Sequence, residues 1–283
     1  MRLFSPDSTH WYQRDGAPLH TVPSLKGEPR PTTLRDARKL GLLPSVTNIL
    51  GVIAKPELTA WLQEQAVMAA LTLPRDPGES EDDFAKRVVA DAQTTRDGAA
   101  DFGTAFHAGA EHVAHALAVD ETHQAAPWLH HYCSWFRHNV VKLRWTEAVL
   151  VNAALGYAGT SDLLIEHAVH GPTLVDLKTM KGASRAGQKG VILKPYKSWC
   201  YQLAAYRTAL GEPVKCMNLI VNSVEPSAPI EHVWTEDELE NGWEAFTAAH
   251  RLWVIEKGYD PVAAPPANIA DGRQKSEEMV LTA

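Results

Sequence analysis

The chain has 283 residues, 45% of them apolar and 22% charged, the composition of a globular enzyme able to bury a substantial core. No run approaches the ~20 apolar residues of a membrane helix, MRLFSPDSTHWYQRDG lacks a signal-peptide core, and three cysteines without CxxC spacing fit a reducing compartment, so a cytoplasmic location without a membrane partner is expected. A formal charge of −7 disfavours nucleic acid as a global statement, although a local basic patch can supply the contact.

Residues 10–22 read as a hairpin around Asp15-Gly16, a strong turn signal. PSVTNILGVIAKPELTAWLQEQAVMAAL starts a helix with Ser45 as N-cap, interrupted and restarted at Pro56. Ser80, three places before Asp83, opens a helix over residues 81–96. Gly98 and Gly103 flank a break, after which GTAFHAGAEHVAHALA is helical. A further amphipathic helix covers residues 126–143.

The hydrophobic period then shortens. TEAVLVN, YAGTSDLLIEH and PTLVDLKT read as three strands, rich in Val, Leu and Ile. A loop with Gly182, Gly187, Gly190 and Pro195 precedes a helix over residues 198–210. KCMNLIVNSV and PIEHVWT are two more strands, and Thr235 opens a closing helix. Residues 264–283, rich in Ala, Pro and charge, are expected to be a disordered tail. This order predicts an α/β fold in one domain over residues 1–263. Its first 100 residues are the hairpin and helical portion, and residues 101–263 the core with its central mixed sheet flanked by helices.

Asp176 and Lys178 share one strand face by the two-residue period, with Val175 and Leu177 on the other. Asp162 comes opposite Asp176 where the two strands pair. Two carboxylates and an ammonium in an apolar sheet are expensive to desolvate unless they serve one another or a cation. One outcome is an ion cluster that holds the strands in register. The other is a Mg²⁺ or Mn²⁺ site, where the ion polarises a phosphate and Lys178 balances charge on the transition state.

The pieces GTAFHAGAE, GYAGTSD, VDLKT and QLAAY occur in that order, and with them the chain resembles the PD-(D/E)xK nuclease superfamily. More narrowly it is similar to the RecB-like exonucleases of phage and prophage recombination, and PSVTNIL resembles the opening of phage members. The resemblance implies a restriction-endonuclease-like core and a metal-dependent DNA exonuclease working from DNA ends in recombination, repair or phage DNA processing. It also implies a single-strand annealing or recombination protein as partner. His107, Asp162, Asp176 and the Leu177 carbonyl would bind Mg²⁺ or Mn²⁺, with Lys178 catalytic. Gln202 and Tyr206, one turn apart on a helix, would bond the phosphate or the surroundings of the attacking water. Glu147 would serve a second metal or buttress Lys178, and Glu111 would accept a hydrogen bond from His107. Relatives with an iron–sulfur cluster hold it with four cysteines. Three scattered ones cannot, so no cluster is expected.

Lys181, Arg185, Lys189, Lys194 and Lys197 follow Lys178 with no acid between them, a stretch suited to DNA phosphates. Trp199 and Tyr201 offer rings for a frayed base. HAGAEH imitates a zinc-protease helix, but H-x-x-E-H has a shorter first spacer, and His107 and His112 diverge around the helix. A structure-specific endonuclease on the same core, or a catalytically silent DNA-binding accessory, are the alternative functions.

Overall fold

The computed structural model describes residues 10–184 and 191–263. The tail at 264–283 and the loop residues Arg185, Gly187, Lys189 and Gly190 lie outside the described residues.

The Asp15-Gly16 turn is present, with Gly16 at φ +91°. The hairpin around it shrinks to one bridge between Tyr12 and Pro18. Strand β1 (Trp11–Tyr12) has a better partner elsewhere. Trp11 packs against Trp253 and Tyr259, ring centroids 6.2 and 6.4 Å away, and is 1% exposed. An open two-stranded ribbon cannot bury a ring that size, so burial decides the pairing. β2 (Thr21–Pro23) and β3 (Pro29–Pro31) form a small ribbon. Helix α1 (Leu34–Leu40) opens on a Thr33–Asp36 capping box and leads to β4 (Leu43–Pro44), the antiparallel partner of β1.

Ser45 caps α2 (Val46–Ile49), its Oγ accepting the Asn48 amide at 3.0 Å. A 3-10 turn (Leu50–Val52) separates it from α3 (Pro56–Thr72), which Pro56 starts as expected. Ser80 caps α4 (Glu81–Ala116), a helix of 36 residues that runs without a break through Gly98 and Gly103. The expected interruption is absent because a glycine costs a helix only ~1 kcal/mol. At Gly103 the missing side chain serves packing: a Cβ there would lie 3.1 Å from Thr179 Oγ1. α5 (Ala126–Asn139) ends four residues short of its expected limit, and VVKL begins strand β5 (Val140–Asn152). The paired, β-branched Val140 and Val141 suit the pleat better than a helix end.

β6 (Tyr157–His167) and β7 (Gly171–Met180) complete an antiparallel meander with β5. β8 (Ala183–Ser184) pairs with β9 (Val191–Ile192). α6 (Lys197–Leu210) crosses over to β10 (Lys215–Asn222), parallel to β7, and β11 (Ile230–Val233) closes the edge. The resulting mixed sheet has the order β11-β10-β7-β6-β5. α7 (Glu236–Lys257) starts from a Thr235–Glu238 capping box.

Alternate residues of the sheet feed two cores. Leu163, Ile165, Val175 and Leu177 pack with Phe106, Leu129 and Tyr132 of α4 and α5. Leu164 and Leu174 pack with Leu203 of α6 and Phe246 of α7. The fold is therefore mixed α/β, with helices on both faces of the sheet. Among the described residues no helix is long and apolar enough to cross a membrane.

Two glycines separate packing from propensity. A Cβ on Gly159 would lie 2.6 Å from Tyr206 Cε1, whereas one on Gly98 meets nothing within 4 Å. Gly159→Ala is expected to destabilise by ~1–3 kcal/mol through overpacking, and Gly98→Ala to stabilise by ~0.5–1 kcal/mol. Urea unfolding of both variants checks the opposite signs.

Candidate metal centre

The site begins with a fault in the sheet. β6 and β7 pair from His167 and Gly171 up to Leu163 and Val175, and then part. The next residues in that register are Asp162 and Asp176. On the other side, β5 pairs at Thr146–Leu163 and Ala148–Ser161 but skips Glu147 opposite Asp162. Glu147 has φ +46°, an unusual left-handed conformation for a residue with a side chain. Pairing thus lapses on both sides of Asp162.

Side chains take over where the ladder stops. Asp162 Oδ2 accepts the Leu177 amide at 2.6 Å, satisfying a donor that β6 has abandoned. Asp176 keeps its parallel neighbour Asn218 on β10. Asn218 Nδ2 donates to Asp176 Oδ2 at 2.7 Å, and Asn218 Oδ1 accepts Trp234 Nε1 at 2.7 Å. Lys178 Nζ lies 2.6 Å from the same Asp176 oxygen. Burial pushes the Asp176 carboxyl up, against the pull of Lys178 and with added repulsion from Asp162.

α4 brings His107 to the opening, its Nδ1 3.7 Å from Asp162 Oδ1. That is too long for a hydrogen bond and leaves both atoms facing a shared space. Ligand atoms of His107, Glu147 and Asp162 all lie within 4.8 Å of one another. The donor set therefore differs from the expected one. Glu147 joins His107 and Asp162, while Asp176 stands outside this set with an oxygen engaged by Lys178 and Asn218. Leu177 enters through its amide. Glu111 makes no hydrogen bond to His107 among the described residues, and its charge acts instead on Glu147. Partial desolvation, then repulsion from Asp162 and Glu111, push the Glu147 carboxyl up to about 7.

Two carboxylates and an imidazole around one space suit a divalent cation. Mg²⁺ prefers oxygen throughout, and the imidazole tilts the set toward Mn²⁺. The repulsion between Glu147 and Asp162 is of the kind a cation relieves.

Gln202 and Tyr206 meet each other on α6, Gln202 Nε2 donating to Tyr206 Oη at 3.2 Å. Tyr206 is 4% exposed, its ring against Gly159, and burial raises its hydroxyl well above the usual range. Tyr201 and Trp199 are partly buried against the α6–α7 core. Lys178 Nζ lies 6.0 Å from the centre of the Trp199 ring. Lys181, Lys194 and Lys197 are exposed. Two buried polar groups were not expected from the sequence. Asn218 carried a signal in being a polar residue inside the apolar strand KCMNLIVN. Tyr132, buried with its hydroxyl unpartnered among the described residues, carried none.

A second group of close ligand atoms, His167, His170 and Glu231, is a hydrogen-bonded clasp. His167 Nδ1 accepts the Val169 and His170 amides at 3.2 and 3.3 Å, so its Nε2 carries the proton and faces Glu231 at 3.4 Å. A metal would need that nitrogen's lone pair.

No family model matches the chain, and no curated protein matches it. The crystal structure of SSO0001 is similar at 14% identity, covering 68% of this chain and 86% of that one, with a TM-score of 0.29. A likeness that loose does not bear on the site.

A carboxyl pushed up in the folded chain favours folding while protonated, so the Glu147 penalty appears as pH rises through about 7. Glu147→Gln is expected to stabilise the metal-free protein at pH 8 by about 1 kcal/mol, discounted for solvent exposure, or roughly 2–4 °C in Tm. The gain should fade toward pH 4, where both states are protonated. Added Mn²⁺ should raise the Tm of the wild type and not of the variant. Thermal melts across pH, with and without Mn²⁺, read both effects.

Proposed function

We propose that the chain is a metal-dependent deoxyribonuclease with a restriction-endonuclease-like core, of the PD-(D/E)xK class its motifs resemble, hydrolysing phosphodiesters from DNA ends. One observation carries the reading: the sheet opens at Asp162 and Asp176, so that a three-residue cation set and a carboxylate–lysine pair adjoin. A structural ion cluster would close the gap with mutual salt bridges. Here Glu147 and Asp162 face each other without a basic side chain bonded to either among the described residues, His107 apart.

When bound, Mg²⁺ or Mn²⁺ supplies Lewis acidity to the phosphate and lowers the pKa of a water. The protein's own groups do the rest. Asp162, Glu147 and His107 would hold the ion, while Asp162 Oδ2 stays with the Leu177 amide and fixes the carboxylate's rotation. Asp176, 2% exposed and gripped by Asn218, anchors Lys178 beside the opening. From there the ammonium balances charge that develops on the phosphoryl oxygens. The exposed Lys181, Lys194 and Lys197 give the net-acidic chain a local surface for DNA phosphates.

Lys178→Ala and Asp162→Asn are each expected to lower Mn²⁺-dependent digestion of linear DNA by roughly 100- to 1000-fold. Asp162→Asn keeps an oxygen for the Leu177 amide, so its circular dichroism and Tm should stay near wild type. Labelled linear DNA and a covalently closed circle separate end digestion from internal cutting. Wild-type rates in either variant, or digestion that persists in EDTA, would remove the assignment.

A further inference from the structure

An aromatic ledge adjoins the lysine of the candidate site. The Trp199 ring carries Lys178 Nζ at 6.0 Å, a cation–π distance, and packs partly buried on the α6–α7 core. Its surface is thus already engaged. Tyr196 meets it edge to face, with centroids 5.0 Å apart and planes at 80°. Edge-to-face is a favoured arrangement for an aromatic pair. Tyr196 is nevertheless 41% exposed, among the exposed large rings of the described chain, and the exposed Lys194 and Lys197 flank it. An exposed ring braced by Trp199, with exposed lysines at positions 194 and 197 beside it in sequence and Lys178 two contacts away, presents a surface for a flat, anionically tethered group.

We propose that Tyr196 is a stacking platform for an unpaired nucleotide, so that the site takes single-stranded DNA or duplex ends with unpaired bases. The inference rests on the nuclease reading for its location beside Lys178. The chemistry selects the strand state: a paired base within a duplex has both faces covered by its neighbours, whereas an unpaired base offers a free face to an aromatic ring. Stacking tolerates any sequence because every base has such a face. Trp199, which the sequence also offered as a platform, supports the ledge from below through its contacts with Lys178 and Tyr196.

The test uses binding, so that it stands apart from catalysis. Full-length protein in EDTA is titrated into a labelled mixed-sequence single strand and into a blunt duplex of the same sequence, read by fluorescence anisotropy. Tyr196→Ala is expected to weaken single-strand affinity roughly 5- to 100-fold, with the duplex changed less than twofold and Tm unchanged. Tyr196→Phe should bind as the wild type does, since the ring and not the hydroxyl makes the contact. Stacking is uncharged, so Tyr196→Ala should leave the slope of log affinity against log salt intact, whereas Lys194→Ala should flatten it by about one ion. Unchanged single-strand binding by Tyr196→Ala, equal losses on both substrates, or a loss in Tyr196→Phe as large as in the alanine variant would overturn the proposal. Failure of the nuclease reading shows separately, as wild-type protein that leaves DNA intact with Mn²⁺ while the binding contrast remains.

Discussion

The hydrogen bond from the Leu177 amide to Asp162 is the contact on which the site depends. A strand that leaves its neighbour strands a row of amides and carbonyls, and a buried donor without a partner costs about 1–3 kcal/mol. The sheet can therefore open only where something else accepts. Asp162 does this with one oxygen at 2.6 Å, and the same bond fixes the direction of its other oxygen, toward His107. The opening and the ligand orientation have one cause. A shorter opening would pair Asp162 with Asp176 and bury two like charges side by side, which neither could bear ionised.

The polar groups then divide by depth. Asp176, Asn218 and Trp234 form an inward chain in which each step is 2.7 Å and each member is at most 6% exposed. Satisfied networks of this kind are rigid because any rearrangement leaves a buried group unpaired. Lys178 is the outward end of that chain, with its side chain 20% exposed. Glu147 and His107 sit nearer solvent, and Glu147 faces the like charge of Asp162. A fixed interior anchor and an electrostatically frustrated rim are what a site needs if it is to hold its geometry and still gain from binding a cation.

Much of this was legible in the chain before any coordinates. The strand YAGTSDLLIEH has the bounds its period predicts, and Ser45, Ser80 and Thr235 cap the helices they announce. The shared face of Asp176 and Lys178 also follows from period two. What could not be read was long-range choice. Trp11 selects a partner by burial against α7, over two hundred residues away in sequence, and so dissolves the local hairpin. Gly103 looks like a helix breaker until its neighbour Thr179 is known. Glu147 looks like any strand carboxylate, because nothing local signals its left-handed backbone. Asp176 lies outside the group of His107, Glu147 and Asp162 for a similar reason: Asn218, distant in sequence and adjacent in register, holds one of its oxygens.

The piece GTAFHAGAE acquires a packing meaning from the same geometry. Gly103, His107 and Glu111 recur every four residues, so they form one stripe along α4. At the first position the stripe approaches β7 at Thr179, next to Lys178, where a Cβ would crowd the Thr179 hydroxyl at 3.1 Å. One turn on, His107 reaches Asp162, and a further turn brings the charge of Glu111 to bear on Glu147. Beside this stripe Phe106, Ala110 and Val113 are 0% exposed, locking the helix against the sheet on its adjacent face. The histidine is thus placed by a close contact on one side and a packed core on the other. A helix broken at Gly103 would lose the first of these and leave the distance from His107 to Asp162 to a flexible joint, whereas the 36-residue helix runs whole.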